Sequence, residues 1–293
     1  MSTYTYVQND DQFADCLERM RARGVQTVAM DLEGEFNLHV YGERFCLLQL
    51  FDGEEEVVVD PFTTSIQAIG ELLESSAIEK ITYDSASDRL LLAKAHGIAV
   101  RSIVDLKPAV EILGLERQDL KSVLAEMLGM PDAGSKKKFQ QYNWTRRPID
   151  PEALAYAARD VRYLFELRDA LFAKLEAAGA MEEYLEENRR RQEREPDIHR
   201  EPGVLRSNRF RRLRRDEKQQ FRRLFEVRDR FARELDLPPN SVVANNDLFA
   251  LAVGQITPAG LRGHRRLPDR VLRAIRSEME AYGSGSDTTS SSS

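Results

Sequence analysis

Two carboxylates, Asp31 and Glu33, close an apolar, β-prone run that begins at Thr27. Side chains two positions apart in a strand point to the same side, so this spacing predicts adjacent carboxylates at the end of a strand. Neighbouring negative charges repel each other unless a cation lies between them, and Mg²⁺ and Mn²⁺ prefer oxygen ligands. The pair alone allows two interpretations, a divalent metal site or a solvated strand end.

Three further polar residues could complete such a site. Asp88 lies in the first turn of a predicted helix, where the helix dipole alone would also favour an acidic residue. Tyr156 and Asp160 are four residues apart on a predicted helix and therefore share a face that is otherwise apolar. A hydrogen bond between them at a surface edge is the alternative to a role in chemistry. Together, four carboxylates and a phenol suit two-metal phosphodiester hydrolysis, in which the tyrosine hydroxyl orients the attacking water.

The elements that must position these residues follow from hydrophobic periodicity and from Gly and Pro stops. Strands are predicted around Asp31 and over 45–51, 57–59, 80–84 and 100–106, and helices over 10–23, 65–76, 85–96, 108–113, 120–128 and 151–178. Three closely connected strands followed by alternating strands and helices predict an α/β fold with a mixed sheet flanked by helices.

The second half of the chain differs in charge and pattern. Residues 186–223 carry fourteen basic and eight acidic side chains, a net charge of about +6 in an otherwise acidic chain. This reversal allows two interpretations, a phosphate-facing surface or a solvated helix face. We predict an α/β domain over 1–185, a basic linker over 186–214, a small all-α domain over 215–282 and a disordered tail over 283–293.

Composition limits the class of protein. The chain has 293 residues, of which 42% are hydrophobic and 31% charged, and a net charge of −6. This is enough apolar material for two domains, and no apolar run is long enough to span a bilayer. The N-terminus lacks a signal-peptide pattern, and Cys16 and Cys46 read as buried free thiols. We predict a cytoplasmic protein without a membrane partner, with a monomer as the default oligomeric state.

Three motifs stand in a family-specific order: Asp31-Leu-Glu33, Tyr83-Asp-Ser-Ala-Ser-Asp88 and Tyr156-Ala-Ala-Arg-Asp160. Over about residues 5–180 the chain resembles the ribonuclease D family, in the tyrosine-bearing DEDDy branch of the DEDD exonucleases. The helical segment near the C-terminus resembles a single HRDC domain, a nucleic-acid-binding module. The second motif departs from the family pattern at Tyr83, and Asp84 adds a carboxylate beside it.

The resemblance implies a ribonuclease H-like fold and a 3′–5′ exoribonuclease. It implies two Mg²⁺ or Mn²⁺ ions, a substrate with a free 3′ end such as a tRNA precursor, and release of nucleoside 5′-monophosphates. By the same resemblance, Asp31 would bridge both ions, Glu33 and Asp160 would complete the first site, and Asp88 would act through water. Tyr156 would position the nucleophile.

Other residues are predicted to hold the nucleic acid. Phe36 and Leu38 follow the first motif and could wedge against terminal bases, with core packing as the alternative. Lys136, Lys137, Lys138 and Arg147 could hold the phosphate backbone, with a ligand-free surface loop as the alternative. Two other functions remain open, a single-stranded DNA 3′–5′ exonuclease and a catalytically silent nucleic-acid-binding protein. The presence of all four carboxylates and Tyr156 weighs against the silent protein.

Overall fold

The computed structural model describes residues 4–130, 139, 141–264 and 267–283. The chain divides into two compact units. The first unit comprises residues 1–35 and 43–198, and the second comprises residues 36–42 and 199–293. A short segment between two strands of the first unit therefore belongs, by its contacts, to the second.

The first unit is built on one six-stranded sheet with the order β1-β4-β3-β2-β5-β6. Its strands are β1 (Thr5–Val7), β2 (Thr27–Phe36), β3 (Glu43–Phe51), β4 (Glu56–Val59), β5 (Glu79–Thr82) and β6 (Ile103–Asp105). β3 and β4 are antiparallel, whereas β1 pairs parallel to β4, and β5 pairs parallel to both β2 and β6. The predicted mixed sheet is confirmed; β1 was not predicted from the hydrophobic pattern.

Helices cover both faces of this sheet. The helices of the first unit are α1 (Asp10–Ala22), α2 (Ile66–Glu74), α3 (Ala86–His96), α4 (Lys107–Ile112), α5 (Leu120–Leu128), α6 (Pro151–Asp160), α7 (Leu164–Ala177) and α8 (Met181–Glu193). On one face, α1, α2 and α3 pack over Val28 and Met30 of β2. On the other, α4, α5 and α7 pack over Ala29 and Ile81, and α6 packs over Val58.

One predicted helix is divided in two. The helical pattern over 151–178 has no Gly or Pro after Pro151, yet α6 ends at Asp160 and α7 begins at Leu164. The two halves pack on different parts of the fold, since α6 lies against β3 and β4 whereas α7 contacts β5, α4 and α5. The break is therefore a tertiary effect, and it leaves Asp160 at a helix end.

The predicted basic linker is also corrected. Residues 186–193 are the second half of α8, which is tied to the sheet because Asn188 Nδ2 donates to the Ile103 carbonyl at 2.9 Å. Arginines of this half are paired with glutamates, as Arg190 is with Glu187 at 2.7 Å. Their charges are thus largely neutralised within the first unit, which extends to residue 198 rather than 185.

The second unit is all-α, as predicted. Its helices are α9 (Gly203–Arg206), α10 (Asn208–Arg211), α11 (Arg215–Leu235), α12 (Pro239–Val242), α13 (Asn245–Ala252) and α14 (Asp269–Gly283). They bury a separate apolar core that includes Phe221, Leu248 and Ile275. The 36–42 segment joins this unit through Tyr41, whose hydroxyl donates to Asp229 Oδ2 at 2.9 Å. The HRDC resemblance of this unit stays a prediction.

Two smaller expectations concern cysteines and membranes. Cys16 and Cys46 are buried and free, as their apolar surroundings predicted. Within the part of the chain that the structure describes, no helix combines the length and apolar character needed to cross a bilayer.

Candidate active site

Asp31 and Glu33 lie within β2 rather than at its end, because this strand continues to Phe36. Val28, Met30 and Leu32 alternate into the core on one side of the sheet, so Asp31 and Glu33 face the other side with Ala29. The pairing of β5 with β2 reaches only Ala29. Asp31 therefore stands just beyond the end of β5, where the neighbouring strand no longer covers it.

The end of β5 also explains the position of Asp88. β5 stops at Thr82, and α3 begins at Ala86 with Asp88 in its first turn. Asp105, at the end of β6, fixes this turn, since its carboxylate accepts the backbone N–H groups of Asp84 and Ser85, both at 2.9 Å. Carboxyl ends of neighbouring parallel strands meet at one edge of a sheet, which brings Asp88 towards Asp31. The sequence reasoning missed this role of Asp105, although it too follows an apolar strand.

Tyr156 and Asp160 come from α6. This helix starts at Pro151, after the Asp150 side chain caps it by accepting the Glu152 N–H at 2.8 Å. Ala153, Leu154, Ala157 and Ala158 are buried against the sheet. Burial, and next the charge of Asp160, raise the pKa of the Tyr156 hydroxyl, and the Tyr156 ring packs on Phe139 with centroids 5.2 Å apart. The two side chains on the predicted shared face are thus partly buried and act on each other electrostatically.

The four carboxylates form one electrostatic cluster. Burial raises the pKa of Asp31 to about 6, and burial together with repulsion from Asp31 raises the pKa of Asp160 to about 7. Burial raises the pKa of Glu33 well above its ordinary value, and the charges of Asp31, Asp160 and Asp88 add to the effect. The pKa of Asp88 is raised mainly by burial and next by Asp31. Four carboxylates from three separate segments, β2, α3 and α6, therefore act on one another.

The donor set fits a divalent cation in chemistry. All donors are carboxylate oxygens, which Mg²⁺ and Mn²⁺ prefer, and their mutual repulsion is what a cation between them would relieve. As the side chains stand, no three Asp, Glu, His or Cys residues among those described form a group compact enough to hold a metal ion. The fold thus brings the four carboxylates close enough to interact, but their side chains are not yet arranged as a complete set of metal ligands.

Metal-free protein is expected to lose stability as the pH rises from about 5 to about 8. In this window the unfolded chain has already released its carboxyl protons, whereas folded Asp31 and Asp160 retain theirs until about pH 6 and 7. The stabilisation that these bound protons provide is complete below the ordinary carboxyl pKa. It is lost as the pH rises past the pKa values of Asp31 and Asp160 in the folded protein. The free energy of unfolding should fall by on the order of 2 kcal/mol in EDTA, as measured by urea unfolding.

The control for this pH dependence is Asp160→Asn, because an amide does not titrate and should flatten the slope. His96 titrates in the same window with the opposite sign, since burial lowers its pKa. Both wild type and Asp160→Asn contain His96, so the difference between their pH slopes is free of the His96 contribution. Identical slopes in wild type and Asp160→Asn would contradict the assignment.

The predicted nucleic-acid contacts have different outcomes. Phe36 and Leu38 are 45% and 58% exposed, so they are not core residues. Lys136, Lys137 and Lys138 lie outside the described residues. Arg147 is corrected: Nε and Nη2 donate to Asp60, at 2.5 and 2.7 Å, and the remaining N–H groups reach backbone carbonyls such as that of Cys46. It has no donor left for a phosphate, and it cross-links the fold instead.

An α/β fold with a buried cluster of interacting carboxylates is the arrangement expected of a metal-dependent nuclease. Residues 4–176 match the family model described as 3′–5′ exonuclease. The match covers more than half of the chain, which therefore belongs to this family. Dependence on divalent metal is general in it.

Two ribonuclease D relatives, matched over 72% and 74% of their own lengths, agree with this assignment. The chain is 27% identical to ribonuclease D of Xanthomonas oryzae pv. oryzae over 269 residues, which cover 90% of this chain and 72% of the relative. It is 26% identical to ribonuclease D of Escherichia coli over 283 residues, covering 93% and 74%. The predicted resemblance to ribonuclease D is confirmed, as is the prediction of an enzyme of the 3′–5′ exonuclease class.

Solved structures show the same fold. The E. coli RNase D crystal structure superposes with a TM-score of 0.70 at 24% identity, covering 96% of this chain and 76% of that one. The catalytic core of Trypanosoma brucei RRP6 (mutant C496S) gives a TM-score of 0.78 at 20% identity, covering 99% and 82%. Brucella melitensis NrnC with bound Mg²⁺ gives 0.51 at 24% identity, covering 62% and 86%. The predicted ribonuclease H-like class of fold is confirmed.

Proposed function

We propose that this protein is a metal-dependent 3′–5′ exoribonuclease that trims the 3′ ends of structured RNA, such as tRNA precursors. The observation that carries the proposal is the electrostatic cluster of Asp31, Glu33, Asp88 and Asp160, whose charges also act on Tyr156, in a chain of the 3′–5′ exonuclease family. Its ribonuclease D relatives support RNA as the substrate.

The four carboxylates are the proposed ligands of two Mg²⁺ or Mn²⁺ ions. Asp31 is placed to be shared, since its charge acts on Glu33, Asp88 and Asp160. When bound, such ions would polarise the scissile phosphate and stabilise the charge on the attacking and leaving oxygens. Water adds to phosphorus and the bond to the 3′ oxygen of the preceding nucleotide breaks, so the product is a nucleoside 5′-monophosphate.

Tyr156 is proposed to orient the attacking water. Burial, and next the charge of Asp160, raise the pKa of Tyr156, so its side chain remains a neutral phenol at physiological pH. The oxygen of a neutral phenol can accept a hydrogen bond from water. Tyr156 thus fixes the direction of the water without removing its proton.

Tyr156→Phe is expected to lower kcat by about 100-fold with little change in KM, because only the oriented water is lost. Single-turnover trimming of a 5′-labelled RNA measures the effect on the chemical step. Tyr163→Phe is the matched control, since no hydrogen bond of the Tyr163 hydroxyl occurs among the described residues, and it should behave as wild type. Equal rates for the two variants would remove Tyr156 from the proposed site.

The RNA body has a candidate contact surface in the second unit. Arg211, Arg212 and Arg215 are exposed around the end of α10 and the start of α11. In the described chain they form no ion pair with an acidic side chain, unlike Arg214 and Arg222. Exposed, unpaired arginines can bind the phosphate backbone. This surface replaces the predicted basic linker in the proposal.

Labelled substrates test the function. Wild-type protein with Mg²⁺ or Mn²⁺ should shorten 5′-labelled RNA one nucleotide at a time and release the label of 3′-labelled RNA at once as a 5′-monophosphate. Single-stranded DNA of the same sequence should be degraded more slowly. Internal cleavage would contradict the exonuclease proposal, and faster degradation of DNA would favour the DNA exonuclease.

A further inference from the structure

Asp105, at the end of β6, is a buried carboxylate outside the acidic cluster. The residue is only 5% exposed. Its Oδ1 atom accepts the backbone N–H groups of Asp84 at 2.9 Å and of Lys107 at 3.0 Å. Its Oδ2 atom accepts the backbone N–H and the hydroxyl of Ser85, at 2.9 and 2.8 Å. A carboxylate has about four acceptor positions, so Asp105 has none left for a cation.

Three of these hydrogen bonds hold the turn between β5 and α3. Asp84 has a φ of 60°, a left-handed conformation that is uncommon outside glycine and costs free energy. Ser85 directly precedes α3, and its hydroxyl donates to Asp105 instead of capping that helix. Asp105 therefore fixes the two residues that set the direction in which α3 leaves the sheet. Asp88 lies in the first turn of α3 and follows that direction.

Helix α8 in turn holds Asp105. β6 is an edge strand, so its outer backbone groups have no neighbouring strand. The Asn188 side chain takes that place, since it accepts the Asp105 N–H at 3.2 Å and donates to the Ile103 carbonyl at 2.9 Å. The Tyr184 hydroxyl donates to the Asp105 carbonyl at 3.1 Å. The backbone of Asp105 is thus tied to α8, while its carboxylate is tied to the turn before Asp88.

The position of Asp88 matters because this residue comes from a separate element. Asp31 and Glu33 belong to β2, and Asp160 belongs to α6. Mg²⁺ requires near-ideal octahedral geometry, so a ligand that is displaced by a fraction of an ångström binds it less well. Residues that orient metal ligands typically contribute about 10- to 100-fold to metal affinity or activity.

We propose that Asp105 is a positioning residue of the nuclease, which holds the turn at Asp84 and Ser85 so that the Asp88 carboxylate is in place for the metal site. This inference rests on the proposed function. It gives Asp105 no contact with metal or substrate, because its four hydrogen bonds already use its acceptor positions. Loss of the Asp105 carboxylate should therefore affect metal binding through Asp88.

Asp105→Asn tests this role, because asparagine keeps the shape of the side chain but places an amide donor against donors of the turn. Mn²⁺ affinity without RNA, measured by calorimetry, should weaken by about 10-fold. In an Asp88→Asn background the same substitution should change this affinity by less than about 2-fold, because no carboxylate is left there to position. At subsaturating Mn²⁺, kcat should fall by about 10-fold while KM for RNA stays nearly unchanged. Equal losses of Mn²⁺ affinity in the two backgrounds would indicate general loosening of the fold and overturn the inference.

Two further variants complete the experiment. Ser85→Ala removes one of the four hydrogen bonds and should weaken Mn²⁺ binding by about 3-fold when Asp88 is present. It decides the question if circular dichroism shows that Asp105→Asn does not fold. Asp119→Asn is the matched control, since Asp119 also holds a helix start, by accepting the Ser122 N–H at 3.1 Å, and its Mn²⁺ affinity should equal that of wild type. Wild-type Mn²⁺ affinity in Asp105→Asn and Ser85→Ala overturns this inference alone. Absence of trimming by wild type overturns the proposed function, whereas the calorimetry still decides the role of Asp105.

Discussion

Asp31→Asn is expected to lower the rate of RNA trimming by at least about 1,000-fold, because phosphodiester hydrolysis depends heavily on the stabilisation of transition-state charge. Asp31 is the carboxylate whose charge reaches the other three members of the cluster. Asparagine keeps the shape of the aspartate side chain. Its amide carries no negative charge and holds a divalent cation less firmly than a carboxylate does. The rate is measured with 5′-labelled RNA at saturating Mn²⁺.

The matched control is Asp84→Asn. Asp84 is exposed and has a positive φ of 60°, which asparagine also adopts readily. We expect its trimming rate to stay within a few-fold of wild type. Metal-free Asp31→Asn should unfold at the same or a higher urea concentration than wild type, because mutual repulsion is relieved. Similar residual activity in both variants would show that the acidic cluster is not the catalytic centre.

Arg147→Met is expected to lower the free energy of unfolding by about 3 kcal/mol, because it leaves a buried carboxylate without its cation. The Asp60 side chain is only 1% exposed, and Arg147 holds it through two hydrogen bonds while Tyr6 donates a third at 2.9 Å. The Arg147 pairing and these hydrogen bonds keep the pKa of Asp60 below its ordinary value despite burial. Urea unfolding followed by circular dichroism measures the loss.

The double variant Arg147→Met with Asp60→Asn isolates the ion pair. Asparagine removes the uncompensated charge, so the double variant should be more stable than Arg147→Met alone. RNA affinity of folded Arg147→Met should match wild type, because the guanidinium has no donor to spare. Unchanged stability with weaker RNA binding would instead restore the phosphate contact that the sequence predicted.

Local rules in the sequence were sufficient for much of this protein. The strand period aligned Asp31 with Glu33, and the helix period aligned Tyr156 with Asp160, because both spacings depend only on backbone geometry. Glycines after apolar helical segments marked true helix ends: Gly97 and Gly129 have φ values of 70° and 64°, which glycine adopts without strain. The order of strands and helices predicted the mixed sheet, and the order of the motifs predicted the family and the candidate acidic residues.

Only the tertiary structure decided which residues distant in sequence contact each other. The sequence predicted that Arg147 is a surface cation. In the structure its guanidinium donates instead to Asp60, which lies 87 positions earlier in the chain. No residue between Asp160 and Leu164 signals a break, and the helix divides there because its two halves pack against different elements. Hydrogen-bond partners and charges brought together by folding are not encoded in local periodicity, so only the tertiary structure could assign these roles.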